Sequence, residues 1–300
     1  MDIPDTGRKI VINGLITTDN LLNVKITKSS YINDIRGAAY LSSTDLDSAE
    51  VRFYQNSTCI DSLHHVYDDY FYAWNVFYIG NYWSQSVYPT PGQEYKVVAK
   101  VPGLPDASAS TIIPNPVRIE HVDTSRIILA PGSYYNNNVG MQFKIEFSDP
   151  VNEPNYYLLK IYLITYWVPF PDSSTIGFIC IDPIVEERLS SDELKGIAFS
   201  DKVINGQRYS LKVIVKGETI GKPFIDYPQS SWQEDHRTTV FFQLYSITEE
   251  YFRFIQSLNL YYKNYGNPLA EPVLMYSNVN GGYGMFSGAA VSTDSIVFQY

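Results

Sequence analysis

Apolar and polar residues alternate through most of this chain, at the period of two that a half-buried β-strand requires. Leu22, Val24 and Ile26 mark one such face within Leu22 to Lys28. Tyr95, Val97 and Ala99 mark another within Glu94 to Val101, and Met141, Phe143, Ile145 and Phe147 a third within 140–149. Further strands are expected over Lys9 to Ile16, Glu50 to Tyr54, 107–113 and Val117 to Val122. After Asn205-Gly206, a strong turn dipeptide, Tyr209, Leu211, Val213 and Val215 alternate again, as do Val240, Phe242 and Leu244. The run NYYLLKIYLITYWV, 155–168, is apolar on both faces, the pattern of a central strand in a packed sandwich.

A single segment changes period. In SITEEYFRFIQSLNLYY, Ser246 and Glu249 have the S-x-x-E spacing of a capping box. Tyr251, Phe254, Ile255, Leu258 and Tyr262 come after them at helical spacing, predicting one amphipathic helix over about 247–262. Pro114 and Pro116 deny a ladder donor and hold the chain extended, which sets a domain boundary near residue 115. The expected architecture is all-β: a first β-sandwich over 1–114, and a second over 115–300 that carries the helix against its sheet.

Composition moves this picture little and in one direction. The 300 residues include 26 tyrosines and are 15% aromatic, which favours pleated, half-buried surfaces. A hydrophobic content of 45% with 18% charged residues fits a globular chain. The net charge of −10 repels phosphate backbones and disfavours both nucleic acid and anionic membrane surfaces. Cys59 and Cys180 form no C-x-x-C pair, and the sequence leaves open whether they are bridged or free. No apolar run reaches the length of a membrane span, and the first residues lack a signal peptide's charged and apolar regions.

Candidate chemistry is sparse. Gly282, Gly284 and Gly288 give G-x-G-x-x-x-G, one residue longer than a dinucleotide fingerprint. Residues 289–300 read as a strand, with no helix to hold a phosphate, so turns, bulges or close backbone approach are the expected roles of the glycines. His64 and His65 are adjacent, and His121 and His236 stand alone, so no metal-ligand spacing appears. No G-x-S-x-G elbow marks a nucleophilic serine. Acidic stretches at 43–50, Asp68-Asp69, 185–193 and Glu249-Glu250 read as solvated surface or as an unrecognised carboxylate pair of a hydrolase. No catalytic residue, metal or cofactor is therefore expected. The tyrosine-rich run Asp68 to Trp83 offers a binding surface: Tyr70, Tyr72, Trp74, Asn81 and Trp83 are the candidate ligand residues, flat rings for stacking beside amides for hydroxyls. The competing reading is core and cross-strand packing.

The C-terminal words resemble the hallmark of the domain-of-unknown-function 4249 family of Bacteroidetes-type cell-envelope proteins. Ser246 to Phe254, Gly266 to Pro272 and Tyr276 to Gly288 match its helix, its GNPFAEP-type motif and its glycine-rich strand. The earlier words RKIVINGLI, PGQEYKVVAKVPGLPDASASTIIP, FSDPVNEPNYYLLKIY and FSDKVINGQRYSL agree as well. The resemblance implies an exported lipoprotein of the outer membrane, anchored through a cysteine ahead of the DIPD-like start. It implies as partner a TonB-dependent transporter, with an accessory role in nutrient uptake and a glycan or peptide as ligand. It transfers no catalytic or ligand residue. The N-terminal half also looks like an immunoglobulin or prealbumin-type sandwich, an analogy of fold alone.

Overall fold

The computed structural model describes residues 7–30, 44–66, 80–128, 139–151, 153–166, 171–189, 196–216, 237–265, 267 and 269–299. The protein is mostly β, with one helix among the described residues. It divides into two compact units. The first comprises Met1–Asn115 and Ile247–Ala290, the second Pro116–Ser246 and Val291–Tyr300. The helix and the glycine run, which reading along the chain groups with residues 115–300, thus lie in the first unit.

Among the described residues, seven strands of the first unit precede residue 115: β1 (Ile10–Thr17), β2 (Asn23–Lys28), β3 (Glu50–Gln55), β4 (Thr58–His65), β5 (Tyr82–Trp83), β6 (Glu94–Lys100) and β7 (Ala107–Ile112). Their inward residues are those that the alternation marks: Val24 and Ile26 on β2, Tyr95, Val97 and Ala99 on β6, all buried in one core. Strand β4 lies outside the strands expected from the sequence. It is joined to β3 by the two-residue turn Asn56-Ser57, both at positive φ, the geometry that matches a hairpin's twist.

The second unit holds β8 (Ile119–Ile128), β9 (Val139–Ser148), β10 (Tyr156–Tyr166), β11 (Pro171–Thr175), β12 (Glu187–Leu189), β13 (Gly196–Ser200), β14 (Arg208–Lys216) and β15 (Arg237–Ile247). A three-stranded sheet runs β14-β9-β8, and a second sheet contains β12-β13-β10-β15 with β11 on the side of β10. Phe143, Ile145 and Phe147 of β9 share one core with Leu159, Ile161, Phe199, Phe242 and Leu244 of the other sheet. Phe143 meets Phe242 at 4.9 Å between centroids, and Phe147, Tyr157 and Phe199 form a three-ring cluster. Period-two patterning on both sheets therefore closes a core between two layers.

The helix α1 (Glu249–Asn264) and the long strand β16 (Tyr283–Gln299) complete the chain. The capping box expected at Ser246 is not what starts the helix. Thr248 is the N-cap, accepting from the Tyr251 N–H, while the Ser246 hydroxyl accepts from the Val117 N–H at 3.0 Å. Tyr251, Phe252, Ile255 and Leu258 are buried, but Tyr262 faces solvent. β16 runs parallel to β1, pairing Val11 with Tyr283 through to Thr17 with Ala289.

The first unit's strands take the order β16-β1-β2-β5-β4-β3-β6-β7. This path returns on itself, because Asn280, just before β16, exchanges both backbone hydrogen bonds with Ser108 of β7, at 2.8 and 3.0 Å. The first unit is thus closed by a segment far along the chain from the strand it meets, so its core is complete only once the C-terminal part arrives.

Candidate functional site

The glycine run is the seam of this closure. Gly281 has φ +75°, and a Cβ there would stand 2.3 Å from the Asp106 carbonyl oxygen. Gly284 has φ +107°, and its Cβ would stand 2.1 Å from the Ile12 carbonyl oxygen. Both positions combine left-handed backbone with contact too close for any side chain. Of the roles expected for the run, turns, bulges or close backbone approach, it is the close approach that Gly281 and Gly284 show, and most of the run is the start of β16, paired with β1. Asn278 reads the same strand as if it were a backbone neighbour, donating to the Phe286 carbonyl at 2.7 Å and accepting from the Phe286 N–H at 2.9 Å. Ser287 is fully buried, its hydroxyl joined to that of the cap residue Thr248.

Of the five aromatic-segment candidates, Tyr70, Tyr72 and Trp74 lie outside the described residues. Asn81 is only 5% exposed, and its amide serves β2: it donates to the Ile26 carbonyl at 2.9 Å and accepts from the Ile26 N–H at 2.7 Å. Both ends of that amide are occupied by main chain. Trp83 is half-buried, opposite Asn23 and His64 in the sheet, and its indole N–H donates to the Gly80 carbonyl. Between them, the Tyr82 hydroxyl donates to the Leu46 carbonyl and accepts from the Ala49 N–H, fixing the acidic stretch around Asp47. Where this segment is described, its polar atoms hold the fold together.

The buried acids that sequence reasoning missed are in the second unit. Asp149, in the loop from β9 to β10, and Asp201, in the loop from β13 to β14, are each 5% exposed. Asp149 accepts from the Tyr157 hydroxyl and, at 2.9 Å, from the Gly206 N–H. Asp201 accepts from the Asn155 N–H at 2.9 Å. Their main chains cross as well: the Asp149 N–H donates to the Gln207 carbonyl and the Asp201 N–H to the Asn155 carbonyl, both at 3.0 Å. Burial, with Asp201 and Glu153 nearby, pushes the Asp149 carboxyl above its ordinary range, against the opposing pull of its two donors. The signal was present as a repeated word, Phe-Ser-Asp, at 147–149 and 199–201.

Other titratable groups are likewise tied in. Burial acts to raise the Glu186 carboxyl, but the Ser200 N–H and hydroxyl, together with Lys202, bring it below the ordinary range. Tyr209 donates to Asp182 at 2.6 Å, and Cys180, a buried free thiol raised by burial, donates to the Lys212 carbonyl. Cys59 is free and exposed, so the two cysteines are not bridged. Among the described residues, no three of His, Cys, Asp and Glu are grouped to hold a metal. No helix there is long and apolar enough to cross a membrane.

These features define a two-unit protein, all-β but for one amphipathic helix among the described residues, in which Asn81, Asp149, Asp201 and Asn278 bind its own backbone. The chain belongs to the DUF4249 family: the profile of this domain of unknown function matches residues 1–295. No curated protein and no solved structure matches it.

Proposed function

We propose that the protein is a non-enzymatic lipoprotein of the cell envelope, an accessory to a TonB-dependent outer-membrane transporter in the uptake of a glycan or peptide. The chain belongs to the family over residues 1–295, and the envelope setting is what its resemblance to that family implies. The observation that carries the non-enzymatic part is the use of the buried acids. Asp149 and Asp201 spend their oxygens on loop N–H groups and a tyrosine, as structural carboxylates do. Two experiments test the reading together: affinity capture of the transporter from envelope membranes, and calorimetric titration with glycans and peptides. Failure to capture a transporter and to bind any ligand would overturn it.

One observation favours a second reading, a glycan-active hydrolase. Asp149 is a buried carboxyl held above its ordinary range, with Asp201 acting on it electrostatically, and raised carboxyls serve as general acids. Hydrolysis of glycans that is abolished in both Asp149→Asn and Asp201→Asn proteins of native stability would establish this reading over the first. The third reading, a purely structural envelope scaffold, is the one left if neither binding nor turnover is found.

A further inference from the structure

The last turns of α1 and the connection after it expose apolar side chains that the fold does not use. Leu269 and Leu274 are each 92% exposed, and Tyr265 is 76% exposed. Leu260, Tyr261 and Tyr262 add half-exposed surface on the adjoining turn, with Tyr261 in ring contact with both Tyr262 and Tyr265. The connection is anchored rather than loose. Asn267 turns the chain by accepting from the Leu269 N–H through its side chain and the Ala270 N–H through its carbonyl, each at 3.1 Å. The Tyr276 N–H then donates to the Ser257 hydroxyl at 3.1 Å, bringing the chain back alongside the helix. Two leucines are thus displayed on a fixed frame, touching almost nothing of their own protein.

Charge and shape together select the occupant. Residues 254–276 contain two charged side chains, Lys263 and Glu271, where the chain's 18% would place about four. In a protein of net charge −10, this segment carries no net charge, which lowers the cost of its desolvation. Near-complete exposure makes Leu269 and Leu274 projecting knobs rather than parts of a flat, pre-packed interface core. Tyrosines with apolar bodies and polar tips, and a lysine able to reach phosphate while its stem stays apolar, are the side chains that settle at a headgroup boundary. We propose that this surface inserts into the interfacial zone of a lipid bilayer, with Leu269 and Leu274 as the inserting side chains and Lys263 facing headgroup phosphate. It rests on the envelope reading only for the presence of a bilayer, and it adds a direct membrane contact separate from any lipid anchor.

The test is co-sedimentation of the unacylated chain with zwitterionic phosphatidylcholine vesicles, with no transporter present, so that its outcome is independent of transporter capture. The wild type is expected to bind, with little dependence on salt. The double variant Leu269→Glu/Leu274→Glu is expected to lose at least about tenfold in partitioning, since each leucine is worth about a tenfold factor when buried in lipid. Both positions are exposed, so its thermal unfolding should match the wild type. Ile181→Glu, at an exposed site in the second unit, should bind vesicles as the wild type does. Absence of wild-type binding overturns the proposal, as does equal binding by the double variant. A concentration-dependent dimer that the double variant abolishes, without vesicle binding, overturns it in favour of a second copy of the chain.

Discussion

Asp149 and Asp201 hold each other's loops. The carboxylate of Asp149 binds the Gly206 N–H of the β13–β14 loop, and the carboxylate of Asp201 binds the Asn155 N–H of the β9–β10 loop. Each residue's own N–H also donates to a carbonyl of the opposite loop. The strands beneath show the same exchange: Phe147 pairs with Tyr209 on one sheet, and Phe199 with Tyr157 on the other. The clasp ties together two places where the chain crosses between the layers of the second unit.

Removing either carboxylate therefore strands buried donors on the other loop. Asp149→Ala is expected to destabilise the protein by roughly 2–3 kcal/mol, and Asp149→Asn by about 1 kcal/mol or less, because the amide can still accept from Gly206. The Asp149→Ala/Asp201→Ala double variant should fall short of the summed single effects by at least about 0.5 kcal/mol. Denaturant unfolding measures all three, and strict additivity would show that the two loops do not act as one network.

The same carboxyl gives the stability a pH dependence of definite sign. The folded-state pKa of Asp149 is raised, so its proton-linked stabilisation is fully present below the ordinary aspartate pKa of about 3.9 and is lost as pH rises through the higher folded value. Glu186 acts in the opposite sense, its folded-state pKa being lowered: its contribution is present above about 4.3 and is lost as pH falls through the lower folded value. Relative to Asp149→Asn, the wild type should gain stability on acidification from neutral pH. Relative to Glu186→Gln, it should lose stability at acid pH. Unfolding curves across roughly pH 3–7 check both signs, and either slope reversed would reject its assignment.

In the first unit, two glycines, one in the β6–β7 connection and one at the seam, separate backbone strain from lack of space. Gly103 has φ +82° with nothing within 4 Å of a Cβ, whereas Gly284 adds to φ +107° a clash with Ile12. Gly103→Ala should cost about 1 kcal/mol, the left-handed conformation alone. Gly284→Ala should cost more than about 3 kcal/mol or prevent folding, since the β1–β16 pairing must open to admit the methyl group. Comparable melting temperatures for the two variants would show that the strand contact yields easily.

Strand positions were legible because burial on one face leaves a period-two trace. Tyr95, Val97 and Ala99, or Phe143, Ile145 and Phe147, could hardly read otherwise. The helix was legible for the same reason at another period, though not its start: Ser246 and Thr248 are both capping residues, and which one caps depends on Val117, far away in sequence. The assignment of the helix and of the first half of β16, up to Ala290, to the first unit was not legible, since Asn280 meeting Ser108 has no local signature. Nor was the clasp, although the repeated Phe-Ser-Asp marked its two halves. Spacing shows that acids recur; only the fold shows that they face each other's backbone.

Asn81 gives the sharpest separation between a ligand residue and a structural one. Its amide closes two hydrogen bonds to Ile26 across 55 residues of sequence, both buried. Asn81→Ala should orphan the Ile26 N–H of a central strand, leave the Ile26 carbonyl only the longer bond from the Leu46 N–H at 3.3 Å, and cost roughly 1–3 kcal/mol. Asn81→Asp keeps the acceptor for the Ile26 N–H but opposes a second oxygen to the Ile26 carbonyl, so it should not restore stability. Hydrogen exchange at the Ile26 amide should accelerate in the alanine protein and report this loss locally. If Asn81→Ala instead kept wild-type stability and exchange but lost affinity for a glycan or peptide, the residue would belong to a binding site.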